Sequence, residues 1–287
     1  MKSGCLGMIV CPMNDDQLIH SISTDPEVSR IVVLRNEYSE RICEKLDSHG
    51  LKYDVVEEQD YLASGIAPDR SGFTVLIRIN DLGLHADPKA LKARIEEQIV
   101  EMQPVVDAIG LYYGICGNWG WDVTSWAEAS EYKPVEVFKG DDGKVCDDCI
   151  AVVVGSSSKY LELERTHTGM FYLTPSIADN WLRFLAAGDM GKQLESIPKD
   201  VLAEFGITDE ISYMRWMFEI GDYKNILKLY TGWSDKEWFD KRAEEIGEAL
   251  NLKPIEAGPD WVTADAADAL YKRCKDHLSD SSSYVRD

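Results

Sequence analysis

The sequence predicts an α/β protein with a mostly parallel sheet, flanking helices and Rossmann-like βαβ blocks. Short β-branched apolar runs alternate with amphipathic segments at helical spacing near both ends of the chain. The helical segments carry their own start and stop signals, an Asp or Ser ahead of the first turn and a Gly after the last. With 287 residues, 45% of them hydrophobic, the chain has enough apolar surface for an ordinary buried core.

Taken in order, CLGMIVCPM (5–13) reads as a first strand ended by Cys11-Pro12, since proline removes a ladder donor. Asp15, Asp16 and Gln17 can then open a helix. IVVLRN (31–36) is a buried-type strand, EYSERICEKLDSHG (37–50) an amphipathic helix closed by Gly50, and LKYDVVEEQD (51–60) another strand. SGFTVLIRIN (71–80) repeats the strand, and 87–103 is a helix with Asp87 as cap, Pro88 in its first turn and Leu91, Ile95, Ile99 and Met102 along one stripe. Strands at 108–113 and 134–138 flank the loop NWGWDVTSW, where Trp119, Trp121 and Trp126 are expected to pack as a lid more than to stack on a ligand. IAVVV (150–154) is open between a strand, favoured by β-branching, and a helix opened by Asp148 and closed by Gly155. MFYLT (170–174) is a short strand stopped by Pro175.

Beyond Pro175 the chain is helix-rich until NILKLYTGW (225–233) restores the βαβ pattern. A helix over 234–251 follows, with Ser234 and Glu237 as a capping box, then a strand at 252–258, a closing helix and a frayed tail. The organisation expected is a core over 1–175 that carries the cysteine site, with 176–287 packed on that same core.

Composition narrows the function. A net charge of −21 and a pI near 4.6 leave no basic face for nucleic acid or an anionic membrane. No apolar stretch approaches the roughly 20 residues of a membrane span, and the N-terminus has no convincing secretory cleavage region, so a cytoplasmic protein is expected. The seven cysteines are scattered and odd in number. Such thiols are free, metal-bound or catalytic before they are paired.

Chemistry concentrates between Ala108 and Lys159. Cys11, Cys116 and Cys149 all fall at junctions between elements, and the carboxyl ends of parallel strands are where ligands bind. Cys43 and Cys274 fall inside helices at apolar spacings and read as filler. A helix N-terminus at Cys149 would lower the pKa of its thiol. Cys146 and Cys149 form a CxxC pair without the second pair that a zinc knuckle needs. His85, between a strand and a helix, is a candidate fourth ligand, and His167 a weaker one. Asp147 and Asp148 are candidates for acid–base work. Ser156, Ser157 and Ser158 could hold an anion, although a serine cap on the following helix is the favoured reading.

GLHADPKAL (83–91), YYGICGN (112–118), DCIAVVVGSSSKY (148–160) and TGMFYLTP (168–175), in that order, resemble the family called domain of unknown function 1638 (DUF1638), common in methanogenic archaea and anaerobic bacteria. The resemblance implies a cysteine at Cys11, a histidine at His85 and cysteines at Cys116 and Cys149. The family pattern usually has histidine where this chain has Asp147, and it usually lacks the extra tryptophans of NWGW. Family members often accompany corrinoid-dependent methyltransferase genes, which implies a role near anaerobic one-carbon metabolism.

The function expected is a metal centre held by Cys11, Cys116 and Cys149. With His85 it would suit zinc; with an open fourth position it would suit an iron–sulfur cluster. Such a centre fits a methyltransferase or a related transferase or lyase acting on a small molecule. The alternative is a non-catalytic module that binds a corrinoid protein or a small anion through Trp119 and the serine loop.

Overall fold

The computed structural model describes residues 1–66, 71–116, 118, 120–187, 194 and 196–280. Six parallel strands make the main sheet: β1 (Lys2–Val10), β2 (Val28–Arg35), β3 (Asp54–Glu57), β4 (Phe73–Ile79), β5 (Ala108–Tyr112) and β6 (Val135–Val137), in the spatial order β3-β2-β4-β1-β5-β6. The chain leaves β1 toward β2 on one side and leaves β5 toward β6 on the other. The crevice between β1 and β5 is therefore a topological switch point, the place where an open α/β sheet receives a ligand.

Helices connect these strands: α1 (Asp15–Ser23), α2 (Glu40–Ser48), α3 (Glu58–Ser64), α4 (Pro88–Met102) and α5 (Val123–Ala129). The Asp87 side chain accepts from Lys89 N and Ala90 N at 3.0 Å each, satisfying two of the unpaired donors at the start of α4. The open segment resolves as a helix. Asp148 caps α6 (Cys149–Val154), and Gly155 closes it at φ 97°, where a side chain would be strained. Two local donors satisfied by Asp148 outweigh the β-preference of three valines. Ser156 caps α7 (Ser157–Thr166) by accepting from Lys159 N at 3.2 Å.

A second sheet follows, three parallel strands β7 (Met170–Leu173), β8 (Asn225–Lys228) and β9 (Lys253–Glu256) in sequence order. Pro175 ends β7 and also opens α8 (Pro175–Ala187), with Thr174 Oγ1 accepting from Ile177 N. Then come α9 (Lys199–Glu204), α10 (Glu210–Ile220) and α11 (Lys236–Leu250). The cap of α11 is Asp235, which accepts from Trp238 N at 2.6 Å; the expected Ser234 box does not form, because the Ser234 hydroxyl donates to Asp16. The chain then returns to the first sheet. Closing helix α12 (Asp265–Asp276) packs on β5 and β6, and β10 (Ser279–Asp280) pairs antiparallel with β1. Residues 281–287, the expected frayed tail, lie outside the described residues.

Side-chain alternation along β1 splits the core into two layers. Cys5 and Ile9 face α4 and the second sheet, while Leu6, Met8 and Val10 face α1, α2 and α12. The two sheets are also joined by a buried polar network. Lys45 Nζ donates to Asp15 Oδ1 and Asp16 Oδ1 at 2.6 Å each, Ser176 Oγ donates to Asp15, and Thr231 Oγ1 donates to Asp16. Among the described residues, no helix is long and apolar enough to cross a membrane.

Candidate functional site

Three thiols reach the carboxyl end of the main sheet by different routes. β1 runs straight into Cys11, whose backbone N–H donates to Tyr112 O at 3.1 Å across the switch-point crevice. β5 ends at Tyr112, and Gly114 carries the next turn against residue 148: a Cβ on Gly114 would lie 2.5 Å from Asp148 Cα. That close approach needs a glycine. It zips the two loops together through Ile115 N to Cys146 O and Cys116 N to Asp147 O at 2.8 Å. Cys116 itself takes φ 44°, a left-handed conformation unusual for a residue with a side chain and typical of sites where surrounding structure imposes strain.

Cys11, Cys116 and Cys149 line one cavity of about 510 Å³ with Asn14 and Asp148. The opposite wall comes from the second sheet and its helices: Phe171 and Tyr172 on β7, Met214 and Phe218 on α10, and Tyr223 just after it. From α7 come Tyr160 and Glu164, one helical turn apart on one face. The rings form two groups. Tyr160 and Tyr172 meet edge to face at 5.8 Å, and Phe218 contacts both Phe171 at 5.5 Å and Tyr223 at 5.1 Å.

The thiols interact electrostatically. Burial pushes all three up in pKa; the negative charge that Cys116 would carry also raises Cys11, and both of those thiols raise Cys149. Burial and then Asp148 push Cys116 up to about 12. The acidification expected from a helix N-terminus at Cys149 is therefore absent. Cys149 does begin α6, but burial together with neighbouring acids outweighs the dipole of a six-residue helix. Asp148 is raised by burial as well, against the two N–H groups that it caps. Among the described residues, no group of three or more His, Cys, Asp or Glu side chains stands ready to hold a metal ion.

Asn14 is fully buried on the cavity wall, and neither its Oδ1 nor its Nδ2 has a hydrogen-bond partner among the described residues. Leaving a buried carboxamide unpaired costs about 1–3 kcal/mol per group, so its presence calls for a ligand or water. The sequence reading passed over it. The signal was a polar residue three positions beyond Cys11, on a segment already assigned to the site.

Other expected residues are placed elsewhere. His85 lies in the 3-10 helix Leu82–Ala86, and its side chain lies outside the described residues, as does Trp119. Asp147 does not line the thiol cavity; its N–H donates to Ser157 Oγ. Ser156 lines a different cavity beside Lys139 and Lys159, and Ser158 donates to Asp142. Trp121 hydrogen-bonds Glu96 and Trp126 packs on Tyr132, both partly buried against the core. Cys146 is buried in the core layer on the far side of the sheet from Cys149, so the CxxC residues face apart. His167 meets Trp261 edge to face, away from the thiols. All seven cysteines are free, and Cys43 and Cys274 sit in helices apart from the cavity.

A family described as "Protein of unknown function (DUF1638)" matches residues 79–261. No curated protein and no solved structure matches the chain.

Proposed function

As this chain belongs to the DUF1638 family, we propose from the thiol cavity that it is a metal-dependent protein of the cytoplasm, in which Cys11, Cys116 and Cys149 bind zinc or an iron–sulfur cluster beside a small-molecule pocket. The observation that carries this reading is that three cysteines, drawn from three chain segments, line one cavity at a switch point. Thiolate sulfur is the donor that both zinc and iron–sulfur centres select. Those three thiols would hold the cation once deprotonated, with His85 as the further candidate ligand. Zinc with an open position supplies Lewis acidity to a substrate thiol or water; a cluster supplies redox or dehydration chemistry. Asp148, protonated more readily than an ordinary aspartate, then holds or releases a proton beside Cys116 and Cys149. Methyl transfer linked to a corrinoid partner is the metabolic setting that the family resemblance implies.

A second reading is favoured by the raised thiol pKa values: a metal-free pocket that binds a small organic ligand, or a corrinoid protein's exposed group, through neutral thiols. Metal analysis of protein purified without oxygen separates the two. Near-stoichiometric zinc or iron that falls by more than about half in Cys11→Ser, Cys116→Ser and Cys149→Ser, but not in Cys43→Ser, supports the metal reading. Less than about a tenth of an equivalent of either metal, with none taken up on reconstitution, leaves the second.

A further inference from the structure

The cavity also carries a charge and shape preference of its own. Its described lining contains no Lys, Arg or His, while Asp148 and Glu164 bring two carboxyl groups to it. An anionic ligand would lose its hydration there and meet no compensating charge in that described lining. A neutral apolar ligand would leave the Asn14 amide unpaired. Five aromatic residues line the same cavity in two groups, and Tyr160 and Tyr172 are in edge-to-face contact with ring planes at 77° to each other. An aromatic lining that carries carboxyl groups and no described cationic side chain favours a cation, including one without hydrogen-bond donors. Glu164 stands beside this pair, and its charge helps to hold both phenols neutral, after the larger effect of their burial.

We infer that the cavity binds an alkylated onium cation, a small quaternary ammonium or sulfonium compound that carries a polar oxygen at its other end. The onium head lies among Tyr160, Tyr172 and Glu164. The polar end points to the buried Asn14 amide, whose unpaired donor and acceptor suit a hydroxyl or carbonyl. The inference rests on this cavity being the small-molecule site and does not require a metal. It is compatible with one, since three thiolates around a dication carry a net negative charge.

The test is calorimetric titration of the full chain with choline and with 3,3-dimethylbutan-1-ol, which has the same shape without the charge. Each titration is run on chelator-treated and on zinc-supplemented protein. Choline should bind about tenfold tighter than the alcohol in both preparations. Glu164→Gln, at a partly exposed position, should close most of that gap, and Tyr172→Leu should weaken choline more than the alcohol. An Asn14→Leu variant should weaken both ligands alike. Equal affinities, a preference for the alcohol, no saturable choline binding, or a choline affinity unchanged by Glu164→Gln would overturn the inference. Metal content measured on the same samples reports separately on the metal: a choline preference in protein that takes up no zinc or iron keeps the inference and removes the metal reading. Zinc uptake without a choline preference does the reverse.

Discussion

The backbone N–H of Cys116 donates to the carbonyl of Asp147 at 2.8 Å. This bond ties the loop that follows β5 to the turn that precedes α6, and it brings residues about thirty positions apart into one wall. Cys116 accepts a left-handed backbone in return, and Gly114 provides the space for it. The thiol cavity therefore depends on a loop contact as much as on the sheet.

Gly114→Ala should disturb both fold and site. The added methyl would meet the Asp148 backbone at 2.5 Å, and backbone cannot step aside as a flexible side chain can. A loss of about 1–3 kcal/mol is expected in chemical denaturation, together with reduced metal or ligand binding. Unchanged stability would mean that the two loops are less closely coupled than the contact indicates.

Asp148 performs two tasks that substitutions can separate. Asp148→Ala removes the acceptor for Ile150 N and Ala151 N and should cost about 1 kcal/mol. Asp148→Asn keeps an acceptor and should retain most of that stability while removing the titrating carboxyl. A pH dependence of turnover or ligand binding that survives Asp148→Asn would remove Asp148 from the acid–base role.

Asn14→Leu should be neutral or stabilising by about 1 kcal/mol in ligand-free protein, because it replaces an unpaired buried amide with an apolar side chain of similar size. A loss of several kcal/mol would show that the amide has a structural partner.

Lys45→Met should be far more damaging. It leaves Asp15 and Asp16 buried without their cation, and the expected cost is about 3–5 kcal/mol in thermal or denaturant unfolding. A change under about 1 kcal/mol would indicate that the two carboxyls share protons readily once the lysine is gone.

The thiols also set an alkaline limit. Cys116 and Cys146 rise from 9.0 in ordinary surroundings to about 12 in the folded chain, and Cys11, Cys149 and Cys274 also rise. Above pH 9 the unfolded chain releases thiol protons that the folded chain keeps, so unfolding gains and stability falls. Each thiol contributes up to about 1.4 kcal/mol per pH unit across that window, while below pH 9 their contribution is constant. Denaturation of metal-free reduced protein between pH 8 and 11 should show this decline, and Cys274→Ala should make it shallower by about one proton. A metal bound by the thiols would reverse the trend in that site: its affinity should rise with pH, since binding displaces thiol protons.

What the sequence determined by itself was local. The alternation of strands and helices, the cap at Asp87 and the stop at Gly50 follow from spacing and from side chains bonding backbone within three residues, while the segment capped by Asp148 stayed open between strand and helix. The placement of Cys11, Cys116 and Cys149 at element ends followed from the same marks, and parallel strands deliver such ends to a common edge. Tertiary structure decided what local spacing cannot encode. β7 belongs to the second sheet, and α12 returns to the first. The far wall of the cavity, from Phe171 to Tyr223, reads along the chain as ordinary amphipathic helix and short strand. Whether Cys146 shares a layer with Cys149 depends on the turn between them, and Ser234 gave up its expected cap because Asp16, 218 positions away, competes for its hydroxyl. Hydrogen bonds and caps act over a few residues and leave a mark in sequence. Strand order and the meeting of distant surfaces are set by how the whole chain buries its apolar area, which no short segment records.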